Sequence, residues 1–231
     1  MTDGSFISEA FFFDLDGTLI DTAPDFYVVL NEVLADAGRP ALTLAAIRAQ
    51  VSNGARALVT LGFGLEPGDA GFDDALHTLL EAYAERGAQD SRLFAGMDDV
   101  IDTLDVIGVP WGIVTNKPQR FTLPLLQRLD LVERVGPVIC PDHVTLRKPD
   151  PEGLLIAARQ CGLAPETCVY VGDHLRDIDA GRRAGMKTVA ALFGYLDPNE
   201  DARAWQADYY IESPAELLPI FHMDMPRCDD C

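Results

Sequence analysis

Lysine is nearly missing from this chain: Lys117, Lys148 and Lys187 stand against 37 Asp and Glu in 231 residues. With all 18 Lys and Arg counted, the net charge is −19. Such a surface repels phosphate backbones and anionic headgroups, which excludes nucleic acid and membrane as bulk partners. The acidity itself reads as a solvated face. Also absent is any apolar run near the roughly 18 residues that span a bilayer. The start, Met1-Thr-Asp-Gly-Ser, has no basic patch before an apolar stretch. No secretory signal is therefore expected, and the predicted location is cytoplasmic. Internal repeats and low-complexity segments are lacking too. The five cysteines (Cys140, Cys161, Cys168, Cys228 and Cys231) are an odd, scattered set that points to reduced thiols. Cys228-Asp-Asp-Cys231 has the spacing of half a metal clip, but no second pair completes it, so it reads as a tail. The remaining composition, 48% hydrophobic and 24% charged, is that of an ordinary folded protein. The length suits one large domain, or a domain carrying an insert.

The first apolar burst, Ala10-Phe-Phe-Phe13, is short, continuous and cut off by Asp14-Leu-Asp16-Gly17-Thr18. That pattern predicts a strand buried on both faces and ending at a polar loop. From about residue 24 the period changes. Phe26, Val29, Leu30, Val33, Leu34 and Ala37 share one face of a helix that stops near Gly38. Leu44, Ile47 and Val51, then Leu58 and Leu61, predict a second helical stretch interrupted at Ser52-Asn53-Gly54. Leu76, Leu79, Leu80 and Tyr83 predict a third. Residues 22–90 therefore read as a helical block without a strand. Beyond residue 91, apolar runs at 110–115, 137–140, 167–171, 188–193 and 208–211 read as strands. Helical patterns at 97–107, 119–130, 151–162 and 176–185 separate most of them. This alternation predicts an α/β, doubly wound, mostly parallel sheet. Ligands of such sheets bind beyond the carboxyl ends of the strands. The expected division is a core of residues 1–21 and 91–231, with 22–90 inserted as an all-helical cap.

Chemistry-bearing residues follow several of these strands. Asp14 and Asp16, two apart after the first strand, can both face one pocket because the loop breaks the strand's alternation. Neighbouring carboxylates can then divide attack or metal binding from proton transfer. Alone, Asp-x-Asp would be an Asx turn, and three more segments argue against that. Thr115-Asn116 ends a strand, with hydroxyl, amide and backbone N–H groups suited to phosphate oxygens. Lys148-Pro149-Asp150-Pro151 fixes a cation before a helix. Val171-Gly172-Asp173-His174-Leu-Arg-Asp177 aims two acids, Asp173 and Asp177, at one hard cation, and all-oxygen ligation suits magnesium.

These four segments, in this order, resemble the haloacid dehalogenase superfamily, and the resemblance covers essentially the whole chain. It implies a Rossmann-like core and a phosphoaspartyl mechanism. Asp14 is then the expected nucleophile and Asp16 the acid and base, while Thr115, Asn116 and Lys148 hold the phosphoryl oxygens. The implied cofactor is Mg2+, held by Asp14, the Asp16 backbone carbonyl and Asp173, with Asp177 in support. The second acid, Asp16, departs from the dehalogenases themselves, and a lysine-free 22–90 departs from the phosphonate-cleaving members. A sugar phosphomutase stays open. His174 stands where many relatives carry a second Asp.

The helical insert and the motif set resemble the phosphoglycolate phosphatase-like group. Val51-Ser-Asn-Gly-Ala-Arg-Ala57, Trp111–Pro118, Ile139–Val144 and Phe193–Pro198 resemble its N-acetylmuramic acid 6-phosphate phosphatase branch, which serves peptidoglycan recycling. The implied substrate is N-acetylmuramic acid 6-phosphate, with 2-phosphoglycolate as the alternative. Both carry a carboxylate, for which Arg56, just past the helix interruption, is the candidate partner. An ordinary exposed helix arginine fits that position equally. The expected partner is a small phosphorylated metabolite, met by a monomer or weak homodimer.

Overall fold

The computed structural model describes residues 8–197 and 200–221; the Cys228/Cys231 pair lies outside them. In chain order the elements are β1 (Ala10–Phe13), β2 (Ile20–Asp21), α1 (Ala23–Asp36), α2 (Leu44–Val51), α3 (Gly54–Phe63), α4 (Phe72–Arg86) and β3 (Arg92–Leu93). Then follow α5 (Met97–Ile107), β4 (Trp111–Val114), α6 (Gln119–Arg128), β5 (Val138–Ile139), α7 (Glu152–Cys161) and β6 (Cys168–Gly172). The last are α8 (Leu175–Ala184), β7 (Lys187–Ala191), β8 (Tyr209–Ile211) and α9 (Leu218–Phe221). No helix among the described residues is long and apolar enough to cross a membrane.

Six strands form one parallel sheet in the order β5-β4-β1-β6-β7-β8. The chain winds from β1 outward through β4 to β5, then crosses to the other side of β1 and continues outward. β1 is thus the strand from which the winding reverses, and its carboxyl end opens the crevice where α/β sheets bind ligands. Its continuous apolar run follows from burial on both faces. Phe11 and Phe13 join Met97, Ile101, Leu104 and Leu125 on one face, while Ala10 and Phe12 join Leu154, Ala157 and Ala180 on the other.

The four helices α1–α4 enclose a separate apolar cluster in which Phe26, Leu30, Leu34, Ile47, Leu58 and Leu79 are buried. The predicted break at Ser52-Asn53 separates α2 from α3. Ala37, expected on the buried face, is exposed, because α1 ends at Asp36 and Ala37 lies past the last full turn. The chain leaves and re-enters the core through β2 and β3, which pair antiparallel as Ile20 with Leu93 and Asp21 with Arg92. Two-residue strands carry no readable period, so the sequence does not announce them.

A fully buried carboxylate clamps this junction. Asp25, in the first turn of α1, accepts from Ser91 N (2.8 Å), Ser91 Oγ (2.6 Å), Asp90 N (3.1 Å) and Arg86 Nε (3.0 Å). Asp25→Ala strands the Ser91 and Asp90 amides and removes the partner of Arg86. It is expected to lower stability by about 2–4 kcal/mol, read as a drop in denaturant midpoint; an unchanged midpoint contradicts the clamp.

Candidate active site

The loop after β1 is a tight turn. Asp14 N donates to Val171 O (2.9 Å), extending the β1–β6 ladder by one bond, and Ile20 N returns to Leu15 O (2.9 Å). Gly17 makes the reversal at φ +88°, and a side chain there would put its Cβ 2.2 Å from Asp173 Oδ2. Gly194 is equally confined: a Cβ would lie 2.3 Å from that of Asp173. Asp173 is therefore held between two backbones. Its carboxylate also accepts from Thr18 Oγ1 (3.0 Å), Ser52 Oγ (3.0 Å) and Tyr195 N (2.9 Å).

Asp14, Asp173 and Asp177 each contribute a carboxylate oxygen to a group whose atoms lie within 4.8 Å of one another. Lys148 enters it, with Nζ 2.8 Å from Asp14 Oδ1, 2.7 Å from Asp177 Oδ1 and 2.7 Å from Tyr170 Oη. When all three carboxylates are ionised they outnumber the one ammonium by two charges, which a divalent cation would balance. The donors are all hard oxygens, so the residues fit magnesium. Burial, with the charges of Asp14 and Asp177, pushes the Asp173 carboxyl up to about 7. Burial raises Asp177 as well, opposed by Lys148. Burial alone would lower Lys148, but Asp14 and Asp177 outweigh it and leave its ammonium above the ordinary lysine range. His174 takes the opposite course: burial and Arg176 lower it to about 4, and its Nδ1 accepts from Arg176 N at 3.2 Å as the cap of α8.

The Asp16 carboxylate turns away from this cluster. Its Oδ1 accepts from Thr22 Oγ1 (2.5 Å) and Lys117 Nζ (2.9 Å). Lys117 is itself buried, reaching Tyr83 Oη of α4 at 3.1 Å, with its ammonium 5.1 Å from the Phe26 ring centroid. Two adjoining spaces meet here. A pocket of about 50 Å³ is lined by Asp14, Thr115, Asn116, Lys148, Ser52 and Arg176. A larger one, about 300 Å³, lies between helices and core, with Arg56, Leu76, Leu80, Phe121, Arg120 and Arg147 on its walls. Asp16 and Lys117 line both.

The sequence candidates thus converge: Asp14, Asp16, Thr115, Asn116 and Lys148 share the smaller pocket, Asp173 and Asp177 lie against Asp14, and Arg56 lines the larger one. The Asn116 amide is differently employed from expectation, because its Oδ1 accepts from Lys148 N and its Nδ2 donates to Lys148 O, both at 3.2 Å. That side chain positions the lysine loop, and Asn116 still lines the smaller pocket.

Sequence reasoning passed over Lys117, Ser52, Arg176 and Tyr195. Arg176 donates to Ser52 O (2.8 Å) and Asn53 Oδ1 (3.0 Å), joining α8 to the α2–α3 break. Tyr195 donates its hydroxyl hydrogen to Asp21 Oδ1 (2.7 Å) and accepts from Thr22 N (2.6 Å) and Ala23 N (2.9 Å). Lysine scarcity was a signal for Lys117, since it directly follows Thr115-Asn116. The other three carry none, because Ser52, Arg176 and the Tyr195 hydroxyl find their partners more than 100 residues away.

Residues 11–191 match the haloacid dehalogenase-like hydrolase family. An N-acetylmuramic acid 6-phosphate phosphatase of Pseudomonas putida is 42% identical over 219 residues, covering 95% of this chain and 98% of that protein. A phosphoglycolate phosphatase of Xanthomonas campestris is also 42% identical, over 90% of this chain and 94% of its own. Among solved structures, a protein from Haemophilus somnus described as a predicted phosphoglycolate phosphatase superposes with a TM-score of 0.81 at 25% identity, over 92% of this chain and 97% of its own.

The raised Asp173 carboxyl has a measurable consequence. A carboxyl above its ordinary value near 3.9 favours the folded state while protonated, and that contribution is lost as pH rises through about 7. With metal chelated, the thermal midpoint of Asp173→Asn should gain on the wild type as pH climbs from 5 to 8. A constant gap would show Asp173 ionised throughout.

Proposed function

The chain belongs to the haloacid dehalogenase-like hydrolase family, and from that premise we propose that it is a magnesium-dependent phosphomonoesterase acting through an aspartyl phosphate. The observation that carries this reading is Asp14. Its Oδ1 is engaged by Lys148 and by Leu15 N (2.7 Å), and its Oδ2 takes no part in those bonds. That oxygen is the nucleophile: it attacks phosphorus while the ester oxygen leaves in line with it. Lys148 offsets charge on the phosphoryl oxygens, and the Thr115 hydroxyl and the Asn116 backbone N–H hold them. Asp16, at the boundary of the two pockets, protonates the leaving oxygen as the alcohol departs into the larger cavity. It then takes a proton from the water that attacks the aspartyl phosphate, releasing inorganic phosphate and restoring Asp14. Mg2+ held by Asp14, Asp173 and the Asp16 backbone carbonyl, with Asp177 in support, would supply further charge stabilisation to the transferring group.

The helical block of residues 22–90 acts as a cap that sets specificity. Its α2–α3 break supports this role, since Ser52 reaches Asp173 and Arg176 reaches back to Ser52 and Asn53. Of the two substrates in the relatives' names, N-acetylmuramic acid 6-phosphate suits the larger cavity better. A volume of about 300 Å³ is at the low end for pockets that enclose drug-sized ligands, and a two-carbon glycolate leaves most of it empty. 2-Phosphoglycolate is the second reading, favoured by the equal identity to the Xanthomonas enzyme. The reaction belongs in the cytoplasm, in peptidoglycan recycling.

Comparing kcat/KM for the two substrates decides between them, and steady release of inorganic phosphate separates a phosphatase from a phosphomutase. Asp14→Asn is expected to abolish turnover on any phosphomonoester, and Asp16→Asn to slow it about 10²- to 10⁴-fold; a fully active Asp14→Asn enzyme contradicts the covalent mechanism. Asp173→Ala should raise the magnesium concentration needed for half-maximal rate, and Asp177→Ala should do so more mildly. Activity in chelator equal to that in magnesium would remove the metal from the scheme.

A further inference from the structure

Four basic residues line the cavity of about 300 Å³: Arg56, Lys117, Arg120 and Arg147. Two of them are already committed. Lys117 lies between Asp16 and Tyr83, and Arg120 pairs with Glu81 at 3.1 Å while its guanidinium packs over the Phe121 ring, 4.4 Å from the centroid. Arg56 and Arg147 are different. Among the described residues neither makes an ion pair, in a chain with 37 acids to choose from. Arg56 comes from the first turn of α3, with its guanidinium 5.8 Å from the Phe72 ring centroid. Arg147 comes from the core, on the loop between β5 and α7, immediately before Lys148. The two therefore approach one space from its two sides, the helical block and the core. Between them the wall is apolar, formed by Val51, Leu76, Leu80 and Phe121.

We propose that Arg147 is a specificity-determining residue that, with Arg56, binds the carboxylate of the leaving group across this cavity. The inference rests on the phosphatase reading and deepens it, naming the substrate as a phosphomonoester whose alcohol portion is a sugar acid with its carboxylate distal to the phosphate. A guanidinium offers parallel N–H donors that match the two oxygens of a carboxylate. A carboxylate shared by Arg56 and Arg147 links the helical block to the core, so binding this leaving group also holds the two together over Asp14. The Arg147 backbone does not depend on its side chain for placement. Glu152 Oε2 accepts from Thr145 N and Leu146 N, both at 2.9 Å, and Asp150 N donates to Arg147 O at 2.9 Å. Removing the guanidinium therefore leaves the Lys148 loop anchored.

The test uses two substrates that differ by the carboxylate: N-acetylmuramic acid 6-phosphate, and N-acetylglucosamine 6-phosphate, which lacks the lactyl group. The quantity read is the ratio of their kcat/KM values in the wild type, Arg147→Gln, Arg56→Gln and the double variant. The wild type is expected to favour the carboxylated sugar. Each single variant should lower the ratio roughly 10- to 150-fold, the range for charge-assisted hydrogen bonds, mainly through KM. In the double variant the ratio should approach one. Thermal midpoints measured alongside identify any variant that has lost its fold, and Arg147→Lys, which keeps charge without the fork, should recover part of the ratio. An unchanged ratio in a folded Arg147→Gln overturns the proposal, as does a loss shared equally by both sugars. A wild type that hydrolyses an aryl phosphate with a sugar ratio near one also overturns it, while leaving the phosphatase standing. Failure on the sugars and the aryl phosphate alike removes the phosphatase reading itself.

Discussion

The site depends on one buried ammonium. Lys148 occupies a position where Asp14, Asp177 and Tyr170 converge, and each of its three donors has a partner at 2.7–2.8 Å. Without that cation, Asp14 and Asp177 would face each other and Asp173 as uncompensated charges in a dry crevice, a costly arrangement. With it, the Asp14 carboxylate has a cation 2.8 Å away at the carboxyl end of the central strand, and one of its oxygens is fixed. The supports of Lys148 are correspondingly redundant. Asn116 grips the lysine backbone at both N–H and C=O, and Tyr170 passes its own hydroxyl hydrogen to Val114 O at 2.8 Å. The chain spends an asparagine and a fully buried tyrosine on holding one side chain. Replacing the lysine would leave Asp14, Asp177 and Tyr170 without their shared partner.

A second constraint follows from the first. A pocket built from strand ends is open on top, and the helices that cover it belong to another apolar cluster. Polar contacts, beside the packing of Phe121 and Tyr195 against that cluster, fix their relation to the core. Tyr195 is central, since its backbone N–H holds Asp173 while its hydroxyl group joins Asp21 to the first amides of α1. Arg48 of α2 pairs with Asp21 at 2.7 Å and packs over the Tyr195 ring, 4.7 Å from the centroid. Asp25 secures the other connection from within α1. The helical block is thus anchored by hydrogen bonds and ion pairs together with apolar packing, in which Phe121 and Tyr195 of the core join the helical cluster. The polar contacts are directional and can be exchanged for water, so they suit a boundary that must admit a substrate.

Legibility in the sequence followed range. β1 and α5 were readable to the residue, because a four-residue apolar run and an amphipathic helix ending at Gly108 are local patterns. Asp14, Asp16, Lys148, Asp173 and Asp177 were readable because each stands in a short segment that ends a strand or starts a helix. Contacts between segments were not readable. Ser52 was visible as part of a helix break, yet its bond to Asp173 spans 121 positions. Tyr195 stands within Phe193–Pro198, a segment that carries the family resemblance, yet its three polar partners on the β2–α1 corner carry no local signature. Asn116 was placed at the pocket, but its side chain serves the lysine loop, a distinction that spacing does not encode. Arg56 is exposed and lines the larger cavity, and Arg147 lines it too, with no sequence signal beside the more conspicuous Lys148.

The use of the two basic residue types carries the argument one step further. Fifteen of the 18 basic residues are arginines, yet two of the three lysines are buried at the site. A lysine ammonium is compact and can donate in three directions, which is what the crowded space among Asp14, Asp177 and Tyr170 demands. A planar guanidinium there would need a wider opening and would displace one of the carboxylates. Lys117 fills a similarly narrow space, between Asp16 and the Tyr83 and Phe26 rings. The larger cavity is roomy, and its unpaired bases are arginines, whose fork suits a planar carboxylate. In a protein of net charge −19, each unpaired cation facing the same cavity works against the field of the whole surface. Screening weakens that field within about a Debye length, near 8 Å at physiological salt, so short contacts inside the cavity prevail over it. The acidic exterior and the basic residues that line the cavity are therefore compatible. The first keeps polyanions away, and the second holds a small anion that enters.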